Sequence, residues 1–141
     1  MILIVEDFVD TARALCGLIG HKGFPCHWVT NGQEAIAYIR QHPQEQPLLV
    51  VLDEMMPSMS GMDVLRTLRA DPKTAASHVM IYTAGYDVAK RDEAVALGVV
   101  AYLLKGGDIE GTLKTISEWY ERIGGVGAAD NGPKRSNERK A

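Results

Sequence analysis

The chain has 141 residues, enough for one domain with a single sizeable core. A hydrophobic fraction of 46% fits a folded globular protein, and a net charge of -3 gives no footprint for binding nucleic acid or a membrane surface. No apolar run approaches the roughly 20 residues of a membrane span, and the opening MILIV is too short and too quickly followed by acids for a signal peptide. Cys16 and Cys26 lack CxxC spacing. A reduced, cytoplasmic chain is therefore expected, with both thiols serving as small apolar residues.

Ile2 to Val5 reads as strand 1, buried on both faces and ending on Glu6 and Asp7. Apolar residues Val9, Ala12, Cys16 and Ile19 recur at three and four, which predicts helix 1 over 9–22, with Asp7 as cap and Gly23 as stop. Strand 2 is expected over 24–29, at an edge because Pro25 interrupts it. Asn31 followed by Glu34 opens helix 2, with Ala35, Ile36 and Ile39 facing inward, and His42-Pro43 closes it. A polar loop through Pro47 leads to strand 3, Leu48 to Leu52, a run too short for a helix. Pro57 and Gly61 mark an irregular loop. Ser60 with Asp63 then opens helix 3, which carries Met62, Leu65 and Leu68 to about Ala70. Strand 4 runs from Val79 to Tyr82, helix 4 from Val88 to Leu97 with Gly98 as stop, and strand 5 from Val99 to Leu104. Asp108 caps helix 5, whose inward stripe is Ile109, Leu113, Ile116, Tyr120 and Ile123.

The last 18 residues hold four of the 14 glycines and four Lys/Arg against two acids. With almost no large apolar side chain, residues 124–141 are expected to form a flexible basic tail beyond a domain spanning 1–123. Strand 1 starts at Met1 without lead-in and no output domain follows, so a stand-alone protein and a fragment are both compatible with the sequence.

Five alternations of strand and helix imply a parallel α/β sheet covered on both faces, of the flavodoxin-like (βα)5 type with strand order 2-1-3-4-5, as a single domain. Ligands in such sheets bind beyond the carboxyl ends of the strands. The polar residues predicted there are Glu6 and Asp7, Asp53, Thr83 and Lys105. A carboxylate at the end of a buried strand is costly without partners, and three together repel unless a cation is present. An all-oxygen set with an open face suits Mg²⁺, Lys105 adds a fixed positive charge, and the Thr83 hydroxyl can donate to an anionic oxygen. That set is what phosphoryl transfer to a carboxylate requires.

The motifs ILIVED, VVLDEMMPSMSG, IYTAG and AYLLK occur in that order at strands 1, 3, 4 and 5. Through them the chain resembles the receiver domains of two-component response regulators, over residue 1 to about residue 123. The resemblance implies that Asp53 accepts a phosphoryl group from a histidine kinase or histidine phosphotransfer protein. Glu6 and Asp7 would hold Mg²⁺ together with Asp53 and the backbone carbonyl of Met55. Thr83 and Lys105 would bind the phosphoryl oxygens, and Tyr102 would turn inward as Thr83 closes on them. The face of helix 4, strand 5 and helix 5 would then change its affinity for a downstream protein, with neither membrane nor direct nucleic-acid contact.

Three departures from the family pattern are visible. Gly106 follows Lys105 where the family commonly has a cis proline, which implies a looser turn there. Met55 and Gly85 occupy the positions two after Asp53 and Thr83, and neither side chain positions a water, so slow self-dephosphorylation is expected. Glu6 stands where the family also uses aspartate.

The competing reading is a receiver-like module that binds partners without phosphorylation. A phosphohydrolase would need a second acid where Met55 stands, and a dinucleotide enzyme would need a glycine-rich turn where the chain has EDFVD. A regulator that modifies itself, and not a turnover enzyme, is expected.

Overall fold

Why the charged residues converge follows from the register of the strands. In a computed structural model of the chain, which describes residues 1–46, 48–106 and 108–127 and the backbone of 134–136 and 138–139, strands and helices alternate. The order is β1 (Ile2–Val5), α1 (Val9–His21), β2 (Cys26–Val29), α2 (Gly32–Gln41), β3 (Leu49–Leu52), α3 (Gly61–Ala70), β4 (His78–Thr83), α4 (Val88–Ala96), β5 (Ala101–Leu104) and α5 (Ile109–Arg122). The sheet order is β2-β1-β3-β4-β5 with every neighbour parallel, the single-domain flavodoxin-like arrangement expected above.

Alternate residues of each strand point to opposite faces. Leu3, Val5, Val50, Leu52, Val79 and Ile81 pack against α2, α3 and α4, and Ala35, Ile39, Leu65 and Leu68 come from those helices. Ile2, Ile4, Leu49, Val51 and Met80 face α1 and α5, meeting Ala12, Ile19, Leu113, Ile116 and Tyr120. Both faces of β1 and β3 are buried, which is why their sequences are unbroken apolar runs.

Local signals set most helix ends. Asn31 accepts the Glu34 N–H, Ser60 and Asp63 form a reciprocal capping box, and Asp108 accepts the Gly111 N–H. Gly23 and Gly98, at φ 94° and 76°, take the left-handed turns that end α1 and α4.

Several expectations are corrected. The N-cap of α1 is Phe8, without a side-chain hydrogen bond, so Asp7 does not cap it. The Phe8 N–H instead meets Glu6 Oε2 at 3.2 Å. Ile109, expected in the inward stripe of helix 5, is 51% exposed, and Val9, at the matching place in α1, is 41% exposed. Each is the first residue of its helix and lies past the strand ends, where no sheet remains to cover it. Beyond α5, Gly125 and Gly127 are buried. Lys134–Ser136 (β6) and Glu138–Arg139 (β7) pair antiparallel, while residues 128–133, 137, 140 and 141 of that tail, and Pro47, lie outside the described residues.

Candidate functional site

Val5, Leu52 and Ile81 lie at one level of the sheet, and Thr83 pairs with Leu104 at its end. The next residues of β1, β3 and β5 are Glu6, Asp53 and Lys105. The Asp53 N–H bonds to the Val5 carbonyl at 3.1 Å and the Lys105 N–H to the Thr83 carbonyl at 2.6 Å. The sheet's hydrogen bonding thus carries one residue beyond the strands, and the side chains are placed by backbone that cannot slide.

Lys105 Nζ sits 2.8 Å from Glu6 Oε1 and 3.4 Å from Asp53 Oδ2. Glu6 and Asp53 are buried, and Asp7 is exposed at the mouth. One carboxylate oxygen from each of Glu6, Asp7 and Asp53 lies within 4.8 Å of the others. The three carboxyls are unequal. Burial alone would raise Glu6, but the hydrogen bonds from Lys105 and the Phe8 N–H outweigh it and hold this carboxyl below its usual range. Burial pushes Asp53 up, with the Met55 N–H and Lys105 opposing it only in part. Asp7 is also raised, by lost hydration and by the adjacent Glu6. Lys105 loses hydration too, yet Glu6 and Asp53 keep it above the ordinary lysine range. Lys105 is therefore committed mainly to Glu6, leaving the negative charge of Asp53 and Asp7 incompletely balanced.

Thr83 is buried, and its Oγ1 accepts the Gly85 N–H at 3.0 Å. Met55 donates its N–H to Asp53 Oδ1 at 3.1 Å, and its 62% exposed side chain leans over Gly85. Tyr102 is already inward, 8% exposed, with the Asp87 N–H at 3.4 Å from its hydroxyl and Tyr86 edge-on at 5.1 Å. Beside the acids, between α1 and α5, a cavity of about 500 Å³ opens onto Glu6, Asp53 and Lys105 over an apolar floor that includes Ile4, Leu15 and Val51.

Sequence reasoning missed Glu54. Its carboxylate is buried directly behind Asp53, accepts the Met62 N–H at 2.7 Å and pairs with Lys90 of α4 at 3.2 Å. A second acid immediately after a buried strand was the available signal. Glu54→Ala should cost about 1–3 kcal/mol because a buried N–H loses its acceptor. Lys90→Ala, at an exposed lysine, should cost clearly less. Urea unfolding of both variants checks the contrast, and equal losses would contradict it.

Comparison with known proteins bears on the same region. A family model described as the response regulator receiver domain matches residues 2–117. The chemotaxis protein CheY of Pseudomonas aeruginosa is 35% identical over 131 residues, covering 88% of this chain and 98% of that protein. The DNA-binding response regulator MtrA of Mycobacterium tuberculosis is 32% identical over 104 residues, which span 74% of this chain and only 43% of that protein. Among solved structures, a response regulator receiver protein from Pseudomonas putida superposes with a TM-score of 0.69 at 28% identity, covering 83% of this chain and 94% of that one.

Proposed function

The chain belongs to the response regulator receiver domain family, and from that premise we propose that it is a phosphorylation-controlled receiver whose acceptor is Asp53. The observation that carries this reading is the buried Asp53 carboxylate, grouped with two further carboxylates and within 3.4 Å of one lysine. A carboxylate oxygen of Asp53 attacks phosphorus, the P–N bond of a donor phosphohistidine breaks, and its electron pair returns to the imidazole. The product is an acyl phosphate on Asp53. The donor is a sensor histidine kinase or histidine phosphotransfer protein, and the cavity between α1 and α5 gives it an approach to Asp53.

The donor set fits Mg²⁺, since the clustered ligands are oxygens and Asp7 leaves one side of the site open to water. Glu6, Asp7, Asp53 and the Met55 carbonyl would hold the ion. Bound Mg²⁺ would supply the charge that lets an anionic phosphoryl group approach an anionic nucleophile.

Lys105 then exchanges part of its pairing with Glu6 for a phosphoryl oxygen, and the Thr83 hydroxyl donates to another. A shift of Thr83 pulls on the Gly85 N–H it accepts, and through that loop on Asp87, which is tied to the Tyr102 hydroxyl. This is the route by which Tyr102 acts as a switch residue. The output surface is α4, β5 and α5, where Val88, Val95 and Leu104 are all more than half exposed. A downstream protein docks there. Action in the cytoplasm is part of this proposal; no helix among the described residues is long and apolar enough to cross a membrane.

The test is incubation with acetyl phosphate and Mg²⁺. A hydroxylamine-labile adduct that EDTA prevents supports the reading, and no adduct favours the phosphorylation-independent module. Met55, whose N–H bonds to Asp53 and whose side chain leans over Gly85, has no group to orient a water. Met55→Asn should therefore shorten the phosphoryl lifetime several-fold, on the order of 1 kcal/mol in the barrier. An unchanged decay rate would show that Met55 does not limit water access.

A further inference from the structure

Of the five helices, α4 is the least anchored by the core: Ala94 is its one buried residue, where each of the others buries three or more. Its larger apolar residues Val88 and Val95 are more than half exposed. Polar contacts hold it instead. Arg66 of α3 grips Glu93 at 2.6 and 2.8 Å, and Lys90, in the first turn of α4, reaches Glu54 at 3.2 Å. Among the described residues these are the two ion pairs that join α4 to the rest of the domain, and the second leads to the acceptor loop.

Glu54 holds that loop at both ends. Its carbonyl oxygen accepts the Met56 N–H at 3.2 Å and the Gly61 N–H at 3.0 Å, while its side chain accepts the Met62 N–H at 2.7 Å. The residues between need such a clamp, because Ser58 sits at φ 63°, a left-handed conformation that residues other than glycine rarely take. Met55 lies inside the clamp, with its N–H on Asp53 Oδ1 at 3.1 Å. On the far side, the Lys90 N–H donates to Asp87 Oδ1 at 3.1 Å, so the lysine backbone is fixed by the cap of α4. One ion pair therefore joins the clamp of the loop to the head of the helix.

We propose that Glu54 is a positioning residue of the acceptor site and that its ion pair with Lys90 is a latch, seating α4 and setting the Met55 backbone through one contact. Glu54 touches no reacting atom and acts through its neighbour. Without Lys90 the buried carboxylate loses this partner and turns toward water, loosening its hold on the Met62 N–H and on the loop. Without the Glu54 charge, Lys90 is released to solvent and the first turn of α4 lifts. Each change is felt on the opposite side of the pair. The consequence for Mg²⁺ rests on the assignment of Asp53 and the Met55 carbonyl made above, whereas the latch itself does not.

The experiment compares Lys90→Met and Glu54→Gln, which remove charge and keep most of the side chain; glutamine also keeps an oxygen for the Met62 N–H. Amide hydrogen exchange of the full chain, read by mass spectrometry, needs neither ion nor phosphoryl group. Lys90→Met should speed exchange several-fold across residues 56–62, and Glu54→Gln across residues 88–93. The double variant should exchange no faster than the faster single variant at either segment. Exchange that changes only on the mutated side of the pair, or effects that add in the double variant, would overturn the latch. Calorimetric titration with Mg²⁺ then reads the positioning role. Lys90→Met should bind several-fold more weakly, although removing a positive charge would by itself tighten a cation. Equal or tighter binding would overturn the positioning role, and so would a parent that binds no Mg²⁺, while exchange alone still decides the latch.

Discussion

Gly61→Ala is expected to destabilise the domain by about 3 kcal/mol and to weaken the acceptor site with it. A Cβ at this position would lie 2.5 Å from the Asp53 carbonyl oxygen and 2.8 Å from Glu54 Cα. Both are backbone atoms of the residues that form the site. Flexible side-chain tips could swing away, but this backbone is fixed by the Asp53 N–H bond to Val5 and by the Gly61 N–H bond to the Glu54 carbonyl. The loop from β3 to α3 must therefore open, taking Asp53 and the buried Glu54 out of register. Gly17 is the internal control: it lies within α1, is exposed, and an added Cβ meets nothing within 4 Å. Gly17→Ala should stabilise by about 0.5–1 kcal/mol through helix propensity. Urea denaturation of both variants, with Mg²⁺ titration of Gly61→Ala, measures the opposed signs. A Gly61→Ala protein as stable as the parent would show that the loop is softer than its hydrogen bonds imply.

The second large effect is at Lys105. Lys105→Ala leaves Glu6 and Asp53 buried at the strand ends without their shared cation. Removing one partner of a fully buried pair costs 3–5 kcal/mol, and since Lys105 is about a third exposed the expected loss is about 2 kcal/mol. The residual repulsion has a specific remedy, because a divalent ion held by the three carboxylates would replace the missing charge. Destabilisation should therefore be clearly larger in EDTA than in millimolar Mg²⁺. Two scans of Tm in the two buffers decide it, and a loss independent of Mg²⁺ would mean that the cluster and the lysine are not electrostatically linked. The same variant should lose the response of α4, β5 and α5 to acetyl phosphate, since no cation then follows the phosphoryl group.

Much of this was legible in the sequence because two physical signals coincide. Apolar runs of four or five residues alternate with three-and-four periodicity, which compels a covered parallel sheet, and the runs at β1 and β3 end on acids. Once the strands are parallel, all their carboxyl ends lie on one edge, so Glu6, Asp7, Asp53, Thr83 and Lys105 meet without any further information. What remained illegible depends on the third dimension. Glu54 looks like a repeat of Asp53, yet it turns the other way to hold the start of α3. Asp7 has the residue type of a helix cap, but the chain needs one more residue to turn, so Phe8 takes the place. Val9 and Ile109 obey the helical period and still face solvent, because the sheet ends before they do. The Tyr102 hydroxyl finds the Asp87 N–H across a loop, and no local pattern encodes that contact.

Glu54 also ties the acceptor loop to α4 through Lys90, on the face where partner binding is placed. That pair connects the β3–α3 loop directly to α4, part of the proposed output surface, beside the proposed route through Thr83 and Tyr102.

The measurement that tests the central claim most directly is intact mass of the parent chain and of Asp53→Asn after incubation with acetyl phosphate and Mg²⁺. A single phosphoryl adduct on the parent and none on Asp53→Asn is the predicted result. An adduct of equal yield on both proteins, or on neither while Mg²⁺ binding is intact, would contradict the assignment of Asp53 as the acceptor.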